Sequence, residues 1–355
     1  MRLDSVRSLK AELVSSVVEP MNARSDRVRT AGARALAGPL ASAFTFGIGA
    51  RATDTVPDVQ RTFALGVAPH GRDYRLAIRL QRQGLRDSEV IQSLTKRARG
   101  EVDVRLVGRI EKRAKKPAAL WYRSDNRPLL IGSSIAHVLV TAGTLGAFAS
   151  RAGKTYLLSN NHVLANEGDA KSGDTILQRA PFDGGKRPAQ AVATLGPFVA
   201  LRPGGTNFVD AALALLDDPA PASFDAVRLR QLVAGKDRKL KGLGKAFLDE
   251  GATVYKLGRT TGPTKGRVTA FDLDNVVVNY GIGNLRFDGQ IEVEGTGATT
   301  FSDGGDSGSL IVNAAMEAVA LLFAGSDIGG KNGAGLTYAN PIHKVLGDLK
   351  STLLF

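Results

Sequence analysis

From Pro128 to the C-terminus, short apolar runs alternate with turns at a spacing of roughly ten residues. The turns are rich in glycine, proline and asparagine, and the whole chain carries 41 glycines. These residues reverse the backbone at little steric cost, but they disfavour long helices. Evenly spaced short strands are typical of a β-sandwich or a β-barrel. The sequence therefore predicts a mostly β domain over residues 128–355.

The residues before this region predict three further parts. Residues 1–40 form a predicted N-terminal helical segment, whose apolar residues lie near one helix face: Leu3, Val6, Leu9, Leu13 and Val17. Residues 41–110 form a predicted small α+β domain, in which Asp87 and Ser88 can cap a helix. Its strands are predicted at Ala43–Ala50, Thr62–Val67, Tyr74–Leu80 and Val102–Val107. Residues 111–127 form a predicted basic linker.

Basic residues are concentrated in the first third of the chain. Residues 1–130 hold 25 lysines and arginines against 13 acidic residues, which is +12 of the total net charge of +13. This asymmetry indicates an acidic or regulatory protein partner for residues 1–127, with a solvated basic surface as the alternative. Aromatic residues are not interleaved with the basic ones and no nucleic-acid-binding motif is present, which argues against nucleic acid.

The chain contains no cysteine, which excludes disulfides, thiolate nucleophiles and cysteine-ligated metal sites. Charged residues also interrupt the apolar N-terminus, so no signal peptide is predicted: Asp4, Arg7, Lys10 and Glu12. The two features predict a cytoplasmic protein. Residues 128–150 carry no formal charge, but their serine, threonine and glycine content predicts two short strands with a turn rather than a membrane span.

The segment FSDGGDSGSLIV, residues 301–312, places a serine on a glycine-rich turn before an apolar strand. Because glycine adopts backbone conformations that side chains forbid, the amides of Gly305 and Ser307 can point together at one oxygen. Acyl transfer needs such a donor pair, since negative charge develops on the carbonyl oxygen in the transition state. Ser307 is therefore a candidate nucleophile, although a structural glycine-rich turn explains the spacing equally well.

A serine nucleophile needs a base, and the chain has four histidines. His162 follows an apolar run that ends in the polar residues 159–161, which is the pattern of a base at a strand end beside a cleft. The other three fit structural settings, with His70 in a turn, His137 within a strand and His343 at the start of a helix. His162 is the predicted base.

Asp210 stands at the start of the apolar run 211–216. A charged residue that enters a core segment is costly unless it is paired. An imidazole base needs a buried carboxylate that fixes its tautomer and stabilises the imidazolium. Asp210 is the predicted carboxylate, with a local cap or ion pair as the alternative.

The order His, Asp, Ser and the segments Ser159–Ala165 and Gly305–Ser309 resemble the trypsin-like (chymotrypsin-fold) serine peptidases. Within this class the chain most resembles the NARROW LEAF-type plant protein and its bacterial relatives, through Val254–Gly262 and Leu321–Gly325. The resemblance covers residues 128–355. It implies two six-stranded antiparallel β-barrels with the catalytic residues between them, preceded here by the small α+β domain and the N-terminal helix.

The resemblance also implies a role for each candidate residue. His162 would be general base and then acid, Asp210 its orienting carboxylate, and Ser307 the nucleophile of an acyl-enzyme mechanism. The backbone amides of Gly305 and Ser307 would form the oxyanion hole. No metal or organic cofactor is implied.

The family pattern places the substrate pocket at five positions: Phe301, Ser302, Ala324, Gly325 and Ser326. Because no acidic residue stands at the pocket base, we expect an apolar or small side chain at the P1 position of the substrate. Asp327, near the opposite wall, favours the alternative of a basic P1 residue.

Two positions depart from the family pattern. Ser309 stands where a glycine is common, and bacterial members tolerate small residues there. Asp306 matches an acid that binds a newly formed N-terminus in relatives that are activated by cleavage. No Ile-Val-Gly-Gly site precedes residue 128, so we expect Asp306 to be paired within the chain, with cleavage in the linker as the alternative.

The predicted function is a serine endopeptidase that acts on an intracellular protein, as a regulated or defence effector. One alternative is a trypsin-like scaffold without turnover that binds an acidic partner or nucleic acid through the basic N-terminal region. Another is an esterase with the same triad. The plant relatives imply a homo-oligomer.

Overall fold

A computed structural model describes residues 1–21, 63–81, 83–108, 110–111, 120–220, 222–245 and 251–355. The strand predicted at Ala43–Ala50, the arginine-rich part of the N-terminal segment and most of the predicted linker lie outside the described residues. No helix in the described ranges is both long enough and apolar enough to cross a membrane.

The helices of the described ranges are short: α1 (Leu3–Leu13), α2 (Glu89–Arg97), α3 (Asn161–Leu164) and α4 (Ile342–Leu349). The side chains of Val6 and Leu13 are fully buried, so α1 packs through the face that its apolar spacing predicts. Ser88 caps α2 by accepting a hydrogen bond from the backbone N–H of Ile91 at 3.5 Å.

The strands of the described ranges follow in chain order. The first half comprises β1 (Phe63–His70), β2 (Asp73–Leu80), β3 (Val102–Leu106), β4 (Ile110–Glu111), β5 (Leu129–Leu130), β6 (Ser134–His137), β7 (Gly143–Thr144), β8 (Ala147–Arg151), β9 (Lys154–Ser159), β10 (Thr175–Leu177), β11 (Ala191–Phe198), β12 (Thr206–Asn207) and β13 (Ala212–Leu216). The second half comprises β14 (Phe224–Asp225), β15 (Arg228–Val233), β16 (Lys236–Lys239), β17 (Gly242–Leu243), β18 (Thr253–Gly258), β19 (Gly262–Asp274), β20 (Val276–Tyr280), β21 (Gly283–Phe287), β22 (Gln290–Gly295), β23 (Leu310–Asn313), β24 (Glu317–Ser326), β25 (Leu336–Pro341) and β26 (Thr352–Leu353).

The first barrel is built from strands between β6 and β13. Its strands pair antiparallel in the order β8–β9–β13–β11–β10–β6, and β7 joins the free side of β6 before the chain enters β8. The backbone N–H of Gly146, between β7 and β8, donates to the carbonyl of Leu158 at 2.9 Å. The interior is filled by aliphatic and aromatic side chains, among them Ile135, Phe148 and Leu213, all fully buried.

The second barrel closes on itself. Its strands pair in the order β18–β19–β22–β25–β24–β23, and β23 returns to β18, with antiparallel pairing throughout. Closure of this kind removes the exposed strand edges that an open sheet would have.

The segment that precedes the barrels is joined to the second one. Strands β1 and β2 form a hairpin, α2 crosses over to β3, and β3 runs parallel to β2. Strand β1 pairs antiparallel with the far half of β19, where Leu65 lies opposite Asp274. The predicted mostly β fold, with two antiparallel barrels, a preceding α+β segment and an N-terminal helix, is confirmed.

A hairpin inserted between β19 and β22 reaches toward the first barrel. It consists of β20 and β21, and β21 pairs in parallel with β12. Because β12 comes only three residues before Asp210, this pairing brings the hairpin next to that carboxylate.

Candidate active site

The turn that carries His162 is fixed by two buried asparagines. Strand β9 ends at Ser159, and His162 lies in the first turn of α3. The Asn160 side-chain amide donates to the carbonyl of Asp210 at 2.6 Å, and that of Asn161 donates to the carbonyl of Val199 at 2.7 Å. Both bonds tie the turn to backbone carbonyls of neighbouring segments, and these contacts set the position of the imidazole.

His162 and Asp210 form a buried pair. Nδ1 of His162 lies 2.5 Å from Oδ2 of Asp210, and the backbone N–H of His162 donates to Oδ1 at 3.2 Å. Burial alone raises the pKa of a carboxyl group, but the interaction of Asp210 with His162 and the hydroxyl of Tyr280 outweighs burial and lowers its pKa. The carboxylate therefore remains charged and holds Nδ1 as a donor, which leaves Nε2 of His162 available for proton transfer.

Tyr280 is a third member of this group that the sequence did not predict. It ends β20, and its hydroxyl donates to Oδ2 of Asp210 at 2.5 Å. Its ring stands edge-on to the imidazole of His162, with 5.8 Å between the ring centroids. Burial, followed by the charge of Asp210, raises the pKa of Tyr280 well above its ordinary value, so the hydroxyl stays a donor.

The backbone of Asp210 is held from the second barrel. Its N–H donates to the side-chain oxygen of Asn340 at 2.9 Å, and the Asn340 amide donates to Gln290 at 2.6 Å. Gln290 in turn donates to the carbonyl of Phe208 at 2.9 Å. Neither amide residue was singled out in the sequence, since each lies more than 70 residues from Asp210 and a sequence pattern carries no sign of such a contact.

Ser307 lies on a tight turn before β23 and is partly exposed. The turn depends on Gly308, whose φ is +90°. A Cβ atom at Gly308 would lie 2.0 Å from Oγ of Ser159 and 2.4 Å from the carbonyl oxygen of Thr144. No other residue type fits this position, because it combines a left-handed backbone with direct packing on the first barrel.

Thr144 joins the Ser307 turn to the strand of His162. Its backbone N–H donates to the carbonyl of Ser307 at 2.8 Å, and its hydroxyl donates to the carbonyl of Gly305 at 2.9 Å. The Thr144 carbonyl accepts the hydroxyl of Ser159 at 2.7 Å. The Ser307 turn therefore contacts the end of β9, three residues before His162.

The hydroxyl of Ser307 makes no hydrogen bond with His162 within the part of the chain that the structure describes. Such bonds are often long or misaligned in substrate-free sites and shorten when the substrate is bound. The structure thus brings together the histidine, the carboxylate and the serine turn.

Two backbone amides at this turn are free. Among the described residues, no acceptor is bonded to the N–H of Gly305 or of Ser307. The carbonyl of Gly304 accepts the hydroxyl of Thr260 at 2.5 Å. Because the C=O and N–H of a trans peptide point in opposite directions, this bond turns the Gly305 N–H away from Thr260. The pair of free donors is what a developing oxyanion requires.

Asp306 is fully buried and is paired inside the chain. Its charge partner is Lys256, also fully buried, whose Nζ lies 3.1 Å from Oδ2. Backbone N–H groups of Thr260 and Thr261 donate to Oδ1 at 2.7 and 3.1 Å, and the Thr261 hydroxyl donates to Oδ2 at 2.7 Å. Burial lowers the pKa of Lys256, and the Asp306 carboxylate opposes that shift. We call Asp306, Lys256, Thr260 and Thr261 the Asp306 cradle.

Arg123 supports the cradle from outside. Its guanidinium is mostly buried and donates to the carbonyls of Arg259 and Thr260, at 2.9 and 2.5 Å. Arg123, which belongs to the C-terminal part of the predicted linker, therefore fixes the loop that binds Asp306.

The five predicted pocket residues lie in the second barrel and the loop before β23. Ser302 and Gly325 face each other, since a Cβ atom at Gly325 would lie 3.6 Å from Oγ of Ser302. Phe301 is 1% exposed and packs within the barrel core, and Ala324 is also buried. The Ser326 hydroxyl donates to the carbonyl of Ile328 at 2.8 Å. The role of these residues as a pocket stays a prediction.

No cluster of three or more histidine, aspartate or glutamate side chains is placed to hold a metal ion in the described ranges. Within the described residues, the polar groups of the site without a hydrogen bond include the serine hydroxyl, Nε2 of His162, the two amides and the side-chain oxygens of Asn160 and Asn161.

Solved structures that resemble the chain are serine proteases of the trypsin-like fold. Thermobifida fusca protease A aligns over 64% of this chain and 98% of its own, with 15% identity and a TM-score of 0.45. A glutamic acid specific serine protease aligns over 64% and 100%, with 21% identity and a TM-score of 0.45. A Nocardiopsis protease aligns over 64% and 99%, with 17% identity and a TM-score of 0.45. No protein-family model and no curated protein sequence matches the chain.

Proposed function

We propose that the chain is a serine endopeptidase in which Ser307, His162 and Asp210 form the catalytic triad. The observation that carries the proposal is the buried His162–Asp210 pair, 2.5 Å apart, beside a glycine-bounded serine turn with two free amides. A histidine whose Nδ1 is fixed by a carboxylate acts as a base through Nε2.

The chemistry follows from this arrangement. Oγ of Ser307 attacks the peptide carbonyl carbon while its proton passes to Nε2 of His162. The negative charge on the carbonyl oxygen is stabilised by the N–H groups of Gly305 and Ser307. The C–N bond then breaks as His162 returns the proton to the leaving amine, which leaves an acyl group on Ser307. Water attacks this ester with His162 again as the base, and Ser307 regains its proton.

Reaction with a fluorophosphonate probe tests the nucleophile. We expect one adduct per chain on the wild-type protein, and at least ~10³-fold less labelling of Ser307→Ala, because the attacking oxygen is absent. Intact mass spectrometry reads both outcomes.

Ser309→Ala is the matched control, because the Ser309 hydroxyl is fully buried and donates to the carbonyl of Asp306 at 2.6 Å. This variant should keep its adduct. A folded wild-type protein that takes up no probe would contradict the proposal and favour a scaffold without turnover.

Tyr280 acts in this proposal as a positioning residue for Asp210. We expect Tyr280→Phe to label roughly 10- to 100-fold more slowly, since a hydrogen bond to a charged group contributes about 1.5–3 kcal/mol. The Tyr280 hydroxyl stabilises the charged form of Asp210, so its removal raises the pKa of Asp210. The labelling rate should therefore begin to fall at a higher pH on acidification than it does in the wild type.

A profile of labelling rate against pH separates this role from a structural one. A merely structural tyrosine would change the rate at every pH by the same factor. If the labelling rate of Tyr280→Phe fell at the same acidic pH as that of the wild type, Tyr280 would not act through Asp210.

The remaining functional predictions rest on the sequence alone. We propose a cytoplasmic location, a protein substrate, a regulated or defence effector role, and a kinship with the NARROW LEAF-type plant protein and its bacterial relatives. An acidic or regulatory partner bound through residues 1–127 and a homo-oligomer belong to the same proposal.

A further inference from the structure

A polar cavity of about 310 Å³ lies where the front segment meets the second barrel. Its walls come from the end of the β1–β2 hairpin, from β3, from β19 and from the loop before β25. None of the lining residues belongs to the candidate active site. The charged side chains of the wall are Arg75, Asp103, Arg105, Arg267 and Lys331.

Acidic groups near the cavity are already paired. Asp103 contacts Nη2 of Arg79 at 2.9 Å and Nε of Arg105 at 3.1 Å. Glu294, which is buried behind the wall, lies 3.3 Å from Arg267 and 3.6 Å from Arg105. Asp103 and Glu294 are therefore paired with Arg79, Arg105 and Arg267, and neither carboxylate is paired with Arg75 or Lys331.

Two cations of the wall have no counter-ion among the described residues. Neither Arg75 nor Lys331 forms an ion pair or a side-chain hydrogen bond within the described residues. Arg79, Arg105 and Arg267 are paired with the three carboxylates of Asp103, Glu292 and Glu294, so Arg75 and Lys331 are a positive excess among the described residues at the cavity.

We propose that this cavity binds a small molecule through a phosphate group. Phosphate supplies several oxygens and a charge close to −2, which matches the two cations Arg75 and Lys331. Guanidinium groups bind phosphate oxygens through parallel hydrogen bonds, which favours this anion over a halide. The volume lies at the small end of the ~300–1,000 Å³ that small-molecule pockets occupy, so a single phosphorylated molecule fits better than a polymer.

Binding has a physical consequence for the fold. Arg75 and Arg105 belong to the front segment, whereas Arg267 and Lys331 belong to the second barrel. A phosphate held between them joins the two parts, and a ligand that binds only the folded state stabilises it in proportion to its occupancy.

The test uses inorganic phosphate on the full chain, by isothermal titration calorimetry and by thermal unfolding, against sodium chloride at equal ionic strength. We expect saturable binding and a rise in the unfolding temperature with phosphate. The double variant Arg75→Gln/Lys331→Gln should bind at least about tenfold more weakly, because it loses two charge-assisted contacts.

The control is Lys154→Gln/Lys236→Gln, which removes the same charge from exposed positions that do not line the cavity. It should bind phosphate as the wild type does. An equal loss in both double variants would assign the effect to net charge and overturn the site, as would the absence of saturable binding to the wild type. Unfolding without phosphate shows whether each variant remains folded.

Discussion

Replacing His162 with alanine should lower the rate at which Ser307 reacts with a fluorophosphonate by about 10⁶-fold, the size of the kcat loss known for one Ser-His-Asp triad without its base. The reason is local: Nε2 of His162 is the group available to take the Ser307 proton, because Nδ1 is bonded to Asp210. Without that acceptor the serine hydroxyl remains protonated and is a weak nucleophile.

Asp210→Asn should lower the labelling rate less, by about 10⁴-fold, because the imidazole remains but its tautomer is no longer fixed. The double variant His162→Ala/Asp210→Asn should be no slower than His162→Ala alone, since the carboxylate acts only through the imidazole. Rates of labelling, read by intact mass after rapid quenching from milliseconds for the wild type to days for the slowest variant, give all three values.

His70→Ala is a suitable control, because this histidine is exposed at the end of β1. Its rate should equal that of the wild type. If the losses for His162 and Asp210 multiply in the double variant, the two residues act independently and the triad assignment is wrong.

Lys256→Met should lower the free energy of unfolding by roughly 3–5 kcal/mol, because it leaves the buried carboxylate of Asp306 without its cation. Urea unfolding measures this value. The folded fraction should also react more slowly with the probe, because Asp306 precedes Ser307 and its cradle sets the direction of the Gly305 amide.

A double-mutant cycle isolates the pair. Lys256→Met and Asp306→Asn together should be less destabilising than the sum of the two, by about 1 kcal/mol or more. Lys265→Met is the matched control, since Lys265 is exposed on β19, and it should change the stability by no more than about 0.5 kcal/mol. Additive effects in the cycle would show that Lys256 is not the charge partner on which Asp306 depends.

The sequence predicts the barrel strands well because the pattern that identifies each strand lies within its own short segment. Alternating or continuous apolar runs between glycine turns identify β9, β13 and β23 without any knowledge of their partners. The cap of α2 is likewise confirmed at Ser88, because an N-cap depends only on its own turn. The domain boundaries at residues 40, 110 and 127 stay predictions.

Contacts between distant segments were not predictable in this way. Tyr280 ends the run Val276–Tyr280, and nothing in that run indicates a hydrogen bond to a residue 70 positions earlier. Lys256 did leave a signal, since it shares a strand face with Val254, and a lysine on an apolar face needs a buried partner. Reading that face would have predicted a carboxylate next to it, although not which one.

The length of β19 has a consequence for anyone who wishes to produce the barrels alone. Its thirteen residues pair with three strands: one edge pairs with β18 over the first part and with β1 over the last part, and the other edge pairs with β22. A polypeptide that starts at residue 128 would lack β1, so the backbone groups of Phe271 and Asp274 would lie on an unpaired strand edge that is exposed to solvent. Unprotected edges of this kind recruit strands from other molecules, so such a fragment is expected to precipitate where the longer chain stays dissolved.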